Sequence, residues 1–256
     1  MENLNFLNIY KNKKVLVTGT TGFKGSWLSY WLSILGARVI GVGLKPENGS
    51  ILFKALKLNK IIKQYYIDIS NFTKLNKIIK KNKPDIIFHL AAQSIVSESY
   101  NEPLNTLKSN TLGSVNILEV TRLNKVKNLV YITSDKCYLN SEKKNGYKES
   151  DILGGRDIYS SSKAAAEIIF SSYHHSFFRK KYLNHASARA GNVIGGGDMK
   201  KNRIIPDIVK AIQNNKKIYL RSPNSTRPWQ HVLEPLFGYL KLGSLLMKNN
   251  LKNIIN

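Results

Sequence analysis

The sequence predicts an α/β protein, a Rossmann-type doubly wound parallel sheet with a small C-terminal substrate lobe. Three observations carry this. Short apolar runs of strand length alternate with amphipathic segments of helix length. The first run, "KKVLVT" (13–18), ends on a glycine-rich turn, "GTTGFKG" (19–25). One helical segment sets Tyr159 and Lys163 four residues apart, a spacing that places both on one helix face.

The elements follow in order. "KKVLVT" carries the apolar run Val15 to Val17 and ends at glycine, as a strand buried on both faces would. Ser26 to Leu35 carries Trp27, Leu28, Trp31, Leu32 and Leu35, spaced as on one side of a helix. "RVIGVGL" (38–44) and "QYYID" (64–68) read as the next strands, the second followed by a helical pattern through Leu75, Ile78 and Ile79. "DIIFHLAA" (85–92) and "NLVYITS" (128–134) read as buried strands, with a long helix from Pro103 to Leu123 between them. A helix from about Tyr159 to Arg179 and a strand "HASARA" (185–190) close the regular series. After Asn192 the order loosens to a helix near Pro206 to Gln213 and a short strand, "KIYLR" (217–221). Residues 1–190 are expected to form a dinucleotide-binding domain and residues 191–256 a partial substrate-binding region.

Composition bounds the function. The chain has 256 residues, 42% hydrophobic and 22% charged, the balance of a soluble globular protein. The N-terminus lacks the order of a signal peptide. The most apolar stretch, Trp27 to Leu44, is broken by Gly36 and Arg38 and is too short to span a bilayer. A single cysteine, Cys137, excludes an internal disulfide and fits a reducing cytoplasm. The net charge of +24 invites a nucleic-acid reading. Its lysines and arginines fall in short scattered groups, such as Lys80-Lys81 and Lys200-Lys201, with no recognition stripe or aromatic platform. No specific nucleic-acid partner is expected.

Open parallel sheets bind ligands beyond the carboxyl ends of their strands. Gly19, Ala91 and Ser134 therefore share one location. Gly19, Gly22 and Gly25 have the spacing of a dinucleotide loop, giving a tight turn, close approach of a diphosphate and close helix packing. The following helix N-terminus offers free amide donors to the phosphates. At the adenosine end, the position of the usual ribose-binding carboxylate holds Gly43, Leu44 and Lys45. Lys45 reads as a 2′-phosphate contact or a solvated lysine, and Asp68 as an adenine contact or a neighbour of a helix cap. Beside Tyr159, an ammonium at Lys163 favours phenolate, which would take a hydroxyl proton as hydride leaves the same carbon. Ser134, Asp135 and Lys136, where a strand stops, read as a solvated turn or as an acid/base site.

The stretches "TGTTGFKGSW", "HLAAQS", "TSDKCY", "YSSSKAAAE", "RAGNVIGGGD" and "RPWQHVLEPL" together resemble the extended short-chain dehydrogenase/reductase family. Within it they are similar to the nucleotide-sugar 4,6-dehydratases that act on CDP-glucose. The likeness runs from about Lys13 to about Tyr239. It implies bound NAD, held by Gly19, Thr21, Gly22, Phe23, Gly25, Asp68, Ala91 and Ala92 with Tyr159 and Lys163. It implies CDP-glucose or a related nucleotide sugar as substrate, and a homodimer formed through the long helix and the Tyr159 helix. By the same likeness Tyr159 is the base at the carbon 4 hydroxyl, Lys163 its electrostatic partner, and Ser134 a hydrogen-bond partner of that hydroxyl. Asp135 protonates the departing water. Lys136 stands where other sugar-nucleotide dehydratases carry glutamate. Gln93, Asn192, Arg203, Arg227 and His231 correspond to substrate contacts, and Asn110 to a structural or proton-relay asparagine.

The pattern is departed from at Ile158, where proline usually precedes "YS", and at Met199, where an aromatic is common. Members of the branch continue beyond "GYLKLGSLLMKNNLKNIIN", so weak turnover from an incomplete lobe is expected. An epimerase or decarboxylase of the same family, or an inactive NAD-binding fragment, are the alternatives. Among other residues, His89 reads as a core histidine. His174 and His175, being adjacent, cannot form a one-face metal pair. Cys137 reads as a buried thiol or one activated by Lys136, and Trp229 as a packing residue of the lobe or a platform for base or sugar.

Overall fold

In the computed structural model, which describes residues 4–46, 50–143, 145–179, 183–220 and 223–248, six parallel strands make the central sheet. They are β1 (Lys14–Thr18), β2 (Arg38–Gly43), β3 (Lys63–Tyr66), β4 (Ile86–His89), β5 (Asn128–Ile132) and β6 (Asn184–Ala188). Their spatial order is β3-β2-β1-β4-β5-β6. The direction of winding reverses between β1 and β4, and a crevice opens at such a reversal beyond the strand ends. A separate parallel pair, β7 (Asn192–Ile194) with β8 (Trp229–His231), follows.

Alternation along the strands feeds both faces. Val15 and Val17 of β1 join one buried layer and Leu16 the other, as a two-residue side-chain period requires. The first layer is covered by α1 (Phe23–Ile34) and the short helices α2 (Ile51–Ala55) and α3 (Leu58–Ile61). The second is covered by α4 (Phe72–Asn82), which Asn71 caps by accepting the Lys74 N–H at 3.0 Å. After β4 come α5 (Val96–Asn101), α6 (Pro103–Leu107) and α7 (Gly113–Leu123), the last two joined by a π-helical turn at Lys108–Leu112. The predicted helix 103–123 is thus continuous but carries a bulge. Then α8 (Ile158–Tyr173) starts at Asp157, whose carboxylate accepts the Ser160 N–H at 2.9 Å and hydroxyl at 2.7 Å.

Two helices follow Asn192. α9 (Ile204–Gln213) buries none of its residues. α10 (Leu233–Met247) does the opposite. Its Leu236, Leu240 and Leu246 lie in the first layer with Phe88 and Val130. Tyr10 donates its hydroxyl to Leu240 O at 2.6 Å, joining the N-terminal 3-10 helix Leu4–Tyr10 to α10. So the segment 191–256 contains a helix that packs on the sheet. The expected strand at 217–221 does not form over 217–220, and 221 lies outside the described residues. Ile218, Tyr219 and Leu220 are exposed there. A strand needs a neighbour's backbone groups, and among the described residues no strand pairs with 217–220. Among the described residues no helix is long and apolar enough to cross a membrane.

Candidate active site

The loop after β1 is shaped by its glycines. Gly19 has φ +78°, and a Cβ there would stand 2.9 Å from Ala91 N. Its N–H donates to Val42 O at 2.7 Å, and its carbonyl accepts the Gly22 N–H at 3.0 Å. A Cβ at Gly25 would fall 2.0 Å from Gly19 O, so the first turn of α1 lies against the loop. Gly22 is exposed at the N-cap of α1, and no side chain caps the helix. The first amides of α1 are left for an anion, as a dinucleotide needs.

The end of β4 faces this loop. Thr18 Oγ1 accepts the N–H groups of Leu90 at 3.1 Å and Ala91 at 3.0 Å, and lies 2.9 Å from His89 Nδ1. With both lone pairs used, the threonine hydroxyl donates to Nδ1. The His89 proton then resides on Nε2, which donates to Ser114 Oγ at 3.0 Å. Burial, with the Lys163 charge adding to it, pulls the His89 pKa down to about 3. His89 is a neutral core residue.

Ala91 and Ala92 are half-buried beside the loop. Gln93, expected at substrate, is turned into its own loop. Its Nε2 donates to Ile95 O and Thr106 Oγ1, both at 3.0 Å, and its Oε1 accepts the Ile95 N–H. Asn110, wholly buried in the π-helical turn, clamps the Gln93 backbone. It accepts the N–H at 2.8 Å, donates to the carbonyl at 3.0 Å and donates to Ser162 Oγ at 3.0 Å. Asp68 accepts the Ser70 N–H at 2.8 Å and stands 4.0 Å from Lys108 Nζ, its side chain half-exposed. Lys45 is exposed.

At the end of β5 the three-residue stretch is ordered. Ser134 caps a 3-10 turn, Asp135–Cys137, by accepting the Lys136 N–H at 3.3 Å. Its hydroxyl donates to Asp135 Oδ1 at 3.0 Å. Lys136 Nζ donates to Asn192 Oδ1 at 3.3 Å, so β7 is tied to the turn. Cys137 is buried, and burial pushes its thiol up to about 12. It is not activated by Lys136.

Tyr159 and Lys163 are both buried in α8. Burial raises the Tyr159 pKa, the neighbouring Ser134 hydroxyl draws it back, and the Asp135 charge raises it further. Burial pulls Lys163 down to about 8, with Lys24 pushing the same way and Glu167 opposing. The sign follows for stability. The folded pKa lies below the unfolded value of ~10.4, so the fold is penalised while the lysine is charged, below about pH 8. Stability is expected to rise between about pH 8 and pH 10, by an order of 3 kcal/mol at most. Urea unfolding across that window checks this. If Lys163→Met keeps the same alkaline rise, the buried lysine is not its source.

One cleft of about 3060 Å³ gathers Phe23, Lys24, Ser134, Asp135, Lys136 and Tyr159 with Asn192, Arg203 and Arg227. That exceeds the ~300–1,000 Å³ of a one-ligand pocket. Arg203 donates to Asp198 Oδ2 at 2.7 Å and Ser94 Oγ at 2.8 Å. Arg227 is exposed, donating to Thr226 O at 2.6 Å. Trp229 lines the cleft and is 44% exposed, so it is no core residue. His231 is not brought to the cleft. It is exposed in β8, with Nδ1 accepting the Leu233 N–H at 3.4 Å.

Two groups at this site had not been singled out in the sequence. Lys24 lies inside the glycine motif, and burial followed by Arg203 pulls its ammonium down to about 8, against Asp135. Among the described residues no hydrogen bond or ion pair holds it. Glu167, one turn beyond Lys163, is buried and accepts from Thr133 Oγ1, Ser187 Oγ at 3.1 Å and Arg189 at 2.7 Å. Its signal was the i+4 step along the Tyr159–Lys163 face. His174 pairs with His185, Nδ1 to Nε2 at 2.7 Å. No group of three metal-ligating side chains occurs among the described residues.

Comparison with known proteins agrees with this geometry. The family described as GDP-mannose 4,6 dehydratase matches residues 16–241. A CDP-glucose 4,6-dehydratase of Salmonella typhimurium is 47% identical over 96% of this chain and 70% of its own. Among solved structures, an epimerase of Methanothermobacter thermautotrophicus superposes with a TM-score of 0.81 at 26% identity, over 94% of this chain and 70% of its own. A dTDP-glucose 4,6-dehydratase of Bacillus anthracis in complex with NAD reaches 0.75 at 24% identity, over 88% and 69%. It shares the fold.

Proposed function

The chain belongs to the extended short-chain dehydrogenase/reductase family, in the group described as GDP-mannose 4,6 dehydratase, and from that premise we propose that it is a nucleotide-sugar 4,6-dehydratase acting on CDP-glucose. One observation carries the reading beyond the family. An acid, Asp135, bonded by the Ser134 hydroxyl, lines the same cleft as the base Tyr159. Epimerases and decarboxylases need the phenol but no acid beside it. Elimination of water does, because hydroxide is a poor leaving group.

The residues fit NAD. The glycine loop leaves room for a diphosphate, and α1 offers it uncapped amides. When bound, NAD would take the hydride from carbon 4 and return it to carbon 6. Tyr159 takes the carbon 4 hydroxyl proton, with Lys163 and Ser134 favouring its ionised form. Asp135 protonates the carbon 6 oxygen. Lys136, held by Asn192, takes the proton from carbon 5. Arg203 and Arg227 are assigned to the substrate diphosphate, which guanidinium groups suit. We assign residues 1–190 to the cofactor half and 191–256 to the substrate half, with α10 returning to the sheet.

Incubation of the purified chain with CDP-glucose and NAD should give a CDP-linked 4-keto-6-deoxy sugar, seen by mass spectrometry as loss of one water. Unchanged substrate, or an isomer of the same mass, would refute the dehydratase reading. A homodimer through the 103–123 helix and α8 is also proposed. Leu104, Leu112 and Leu123 are exposed on the first and Ile168 on the second. A monomer mass in light scattering would exclude it.

A further inference from the structure

Beside the proposed acid and base lies a buried ion pair that the reaction does not use. Glu167 and Arg189 meet at 2.7 Å, with side chains 3% and 16% exposed. Such a pair gives little net stability over apolar side chains of the same volume, so stability alone does not account for it. Its bonds point elsewhere. Glu167 Oε2 accepts from Arg189 and, at 3.1 Å, from Ser187 Oγ, while Oε1 accepts from Thr133 Oγ1. Arg189 also donates to Tyr138 Oη at 2.9 Å and to the Glu149 carbonyl at 3.2 Å, its guanidinium lying over the Tyr138 ring. One carboxylate thus joins α8 to β6 and to the end of β5. Through Arg189 it also reaches the loop that follows Cys137.

The joined segments carry the chemistry. Lys163 lies one turn before Glu167 in α8, and Tyr159 two turns before. Thr133 immediately precedes Ser134, Asp135 and Lys136. The backbone pins this stretch sideways, to the chain continuing β6. The Thr133 N–H donates to Ala188 O at 2.9 Å, and the Asp135 N–H to Ala190 O at 3.2 Å. Bonds of that kind run in the plane of the sheet, so they leave its separation from the covering helix unset. The Thr133 hydroxyl supplies the missing direction, reaching out of the sheet to α8.

We propose that Glu167 is a positioning residue for the elimination: through the Thr133 hydroxyl it fixes the turn bearing Asp135 and Lys136 against the helix bearing Tyr159 and Lys163. Acid and base must meet one sugar in one geometry, and this bond sets the distance between the two elements that carry them. The inference rests on the dehydratase reading above.

Two variants of the full chain separate positioning from general support. Thr133→Val keeps the side-chain shape and removes the donor to Oε1. Ser187→Ala takes a bond from the same carboxylate, at Oε2, and leaves the turn alone. Turnover of CDP-glucose with NAD is one measurement. The other is the rate at which Cys137, the single thiol and the last residue of the turn, reacts with dithiobis-nitrobenzoate without denaturant. Thr133→Val should lower kcat by about 10²-fold at unchanged KM, as a small misplacement of reacting groups does. Its thiol should react about tenfold faster, the worth of one hydrogen bond to a charged group. Thr133→Ser returns the hydroxyl and should recover both. Ser187→Ala should match the wild type in both. An unimpaired kcat or an unchanged thiol rate in Thr133→Val would overturn the proposal. So would equal losses in Ser187→Ala, which would make the carboxylate a support of the fold at large. If the wild type forms no 4-keto product, the dehydratase reading fails, and the thiol rates still decide whether Glu167 holds the turn.

Discussion

Asp135→Asn should halt the reaction after the sugar is oxidised. The amide keeps the shape of the carboxyl and can still accept from Ser134 Oγ, which now lies 3.0 Å from Oδ1. It has no acidic proton to give the carbon 6 oxygen. Oxidation depends on Tyr159, Lys163 and the cofactor, none of which the change removes. The expected result is reduced cofactor accumulating with a 4-keto-glucose nucleotide, while release of the deoxy product falls by about 10²–10⁴-fold. Rapid-quench analysis alongside cofactor absorbance reads both quantities. Deoxy product appearing at the wild-type rate would show that Asp135 is only part of a turn.

Gly25→Ala should be the most damaging single methyl in the chain. The new Cβ would meet Gly19 O at 2.0 Å, Gly19 C at 2.5 Å and Thr20 N at 3.0 Å. All three are backbone atoms, so no side chain can swing aside. Overpacking commonly costs about 1–3 kcal/mol. Here the loop and α1 must separate, and a loss above about 4 kcal/mol is expected. At Gly22 a Cβ would meet only Gly19 O, at 3.2 Å. Gly22→Ala should therefore keep the fold, and the larger Gly22→Val should lose cofactor because it occupies the diphosphate's space. Urea midpoints and cofactor retained after gel filtration separate the two effects. Equal midpoints for Gly25→Ala and wild type would contradict the packing described for the first turn.

What the sequence told, and where it fell silent, divides along physical lines. The strands of the sheet are apolar on both faces, so β1, β2, β4 and β5 could be read from their runs alone. "QYYID" was placed one residue late and ran past its end. The structure starts β3 at Lys63, and by Asp68 the carboxylate is already bonding the Ser70 N–H of the next turn. "KIYLR" had the composition of a strand, but pairing depends on a partner that composition does not name. In the site, Tyr159 and Lys163 were legible because helix geometry converts a spacing of four into a shared face. Gln93 was read as facing substrate, and nothing local signals that Thr106 of α6 and Asn110 of the π-helical turn saturate its loop. Lys24 was hidden in plain view between two glycines, its environment set by Arg203 and Asp135 from distant segments. The buried Glu167–Arg189 pair likewise joins α8 to the residue after β6, a contact made only by folding.

α10 has a consequence for the order in which the chain acquires its structure. The bond from Tyr10 to Leu240 closes a loop of 230 positions, and the face that holds Phe88 and Val130 gains Leu236 and Leu240 only then. On a ribosome, the sheet strands would emerge long before the helix that covers them. Contacts so far apart in sequence form slowly, because the chain entropy of closure must be overcome before any burial rewards it. The nascent protein thus presents one greasy sheet face until translation has passed Leu240, the interval in which a chaperone or an aggregate would compete for it.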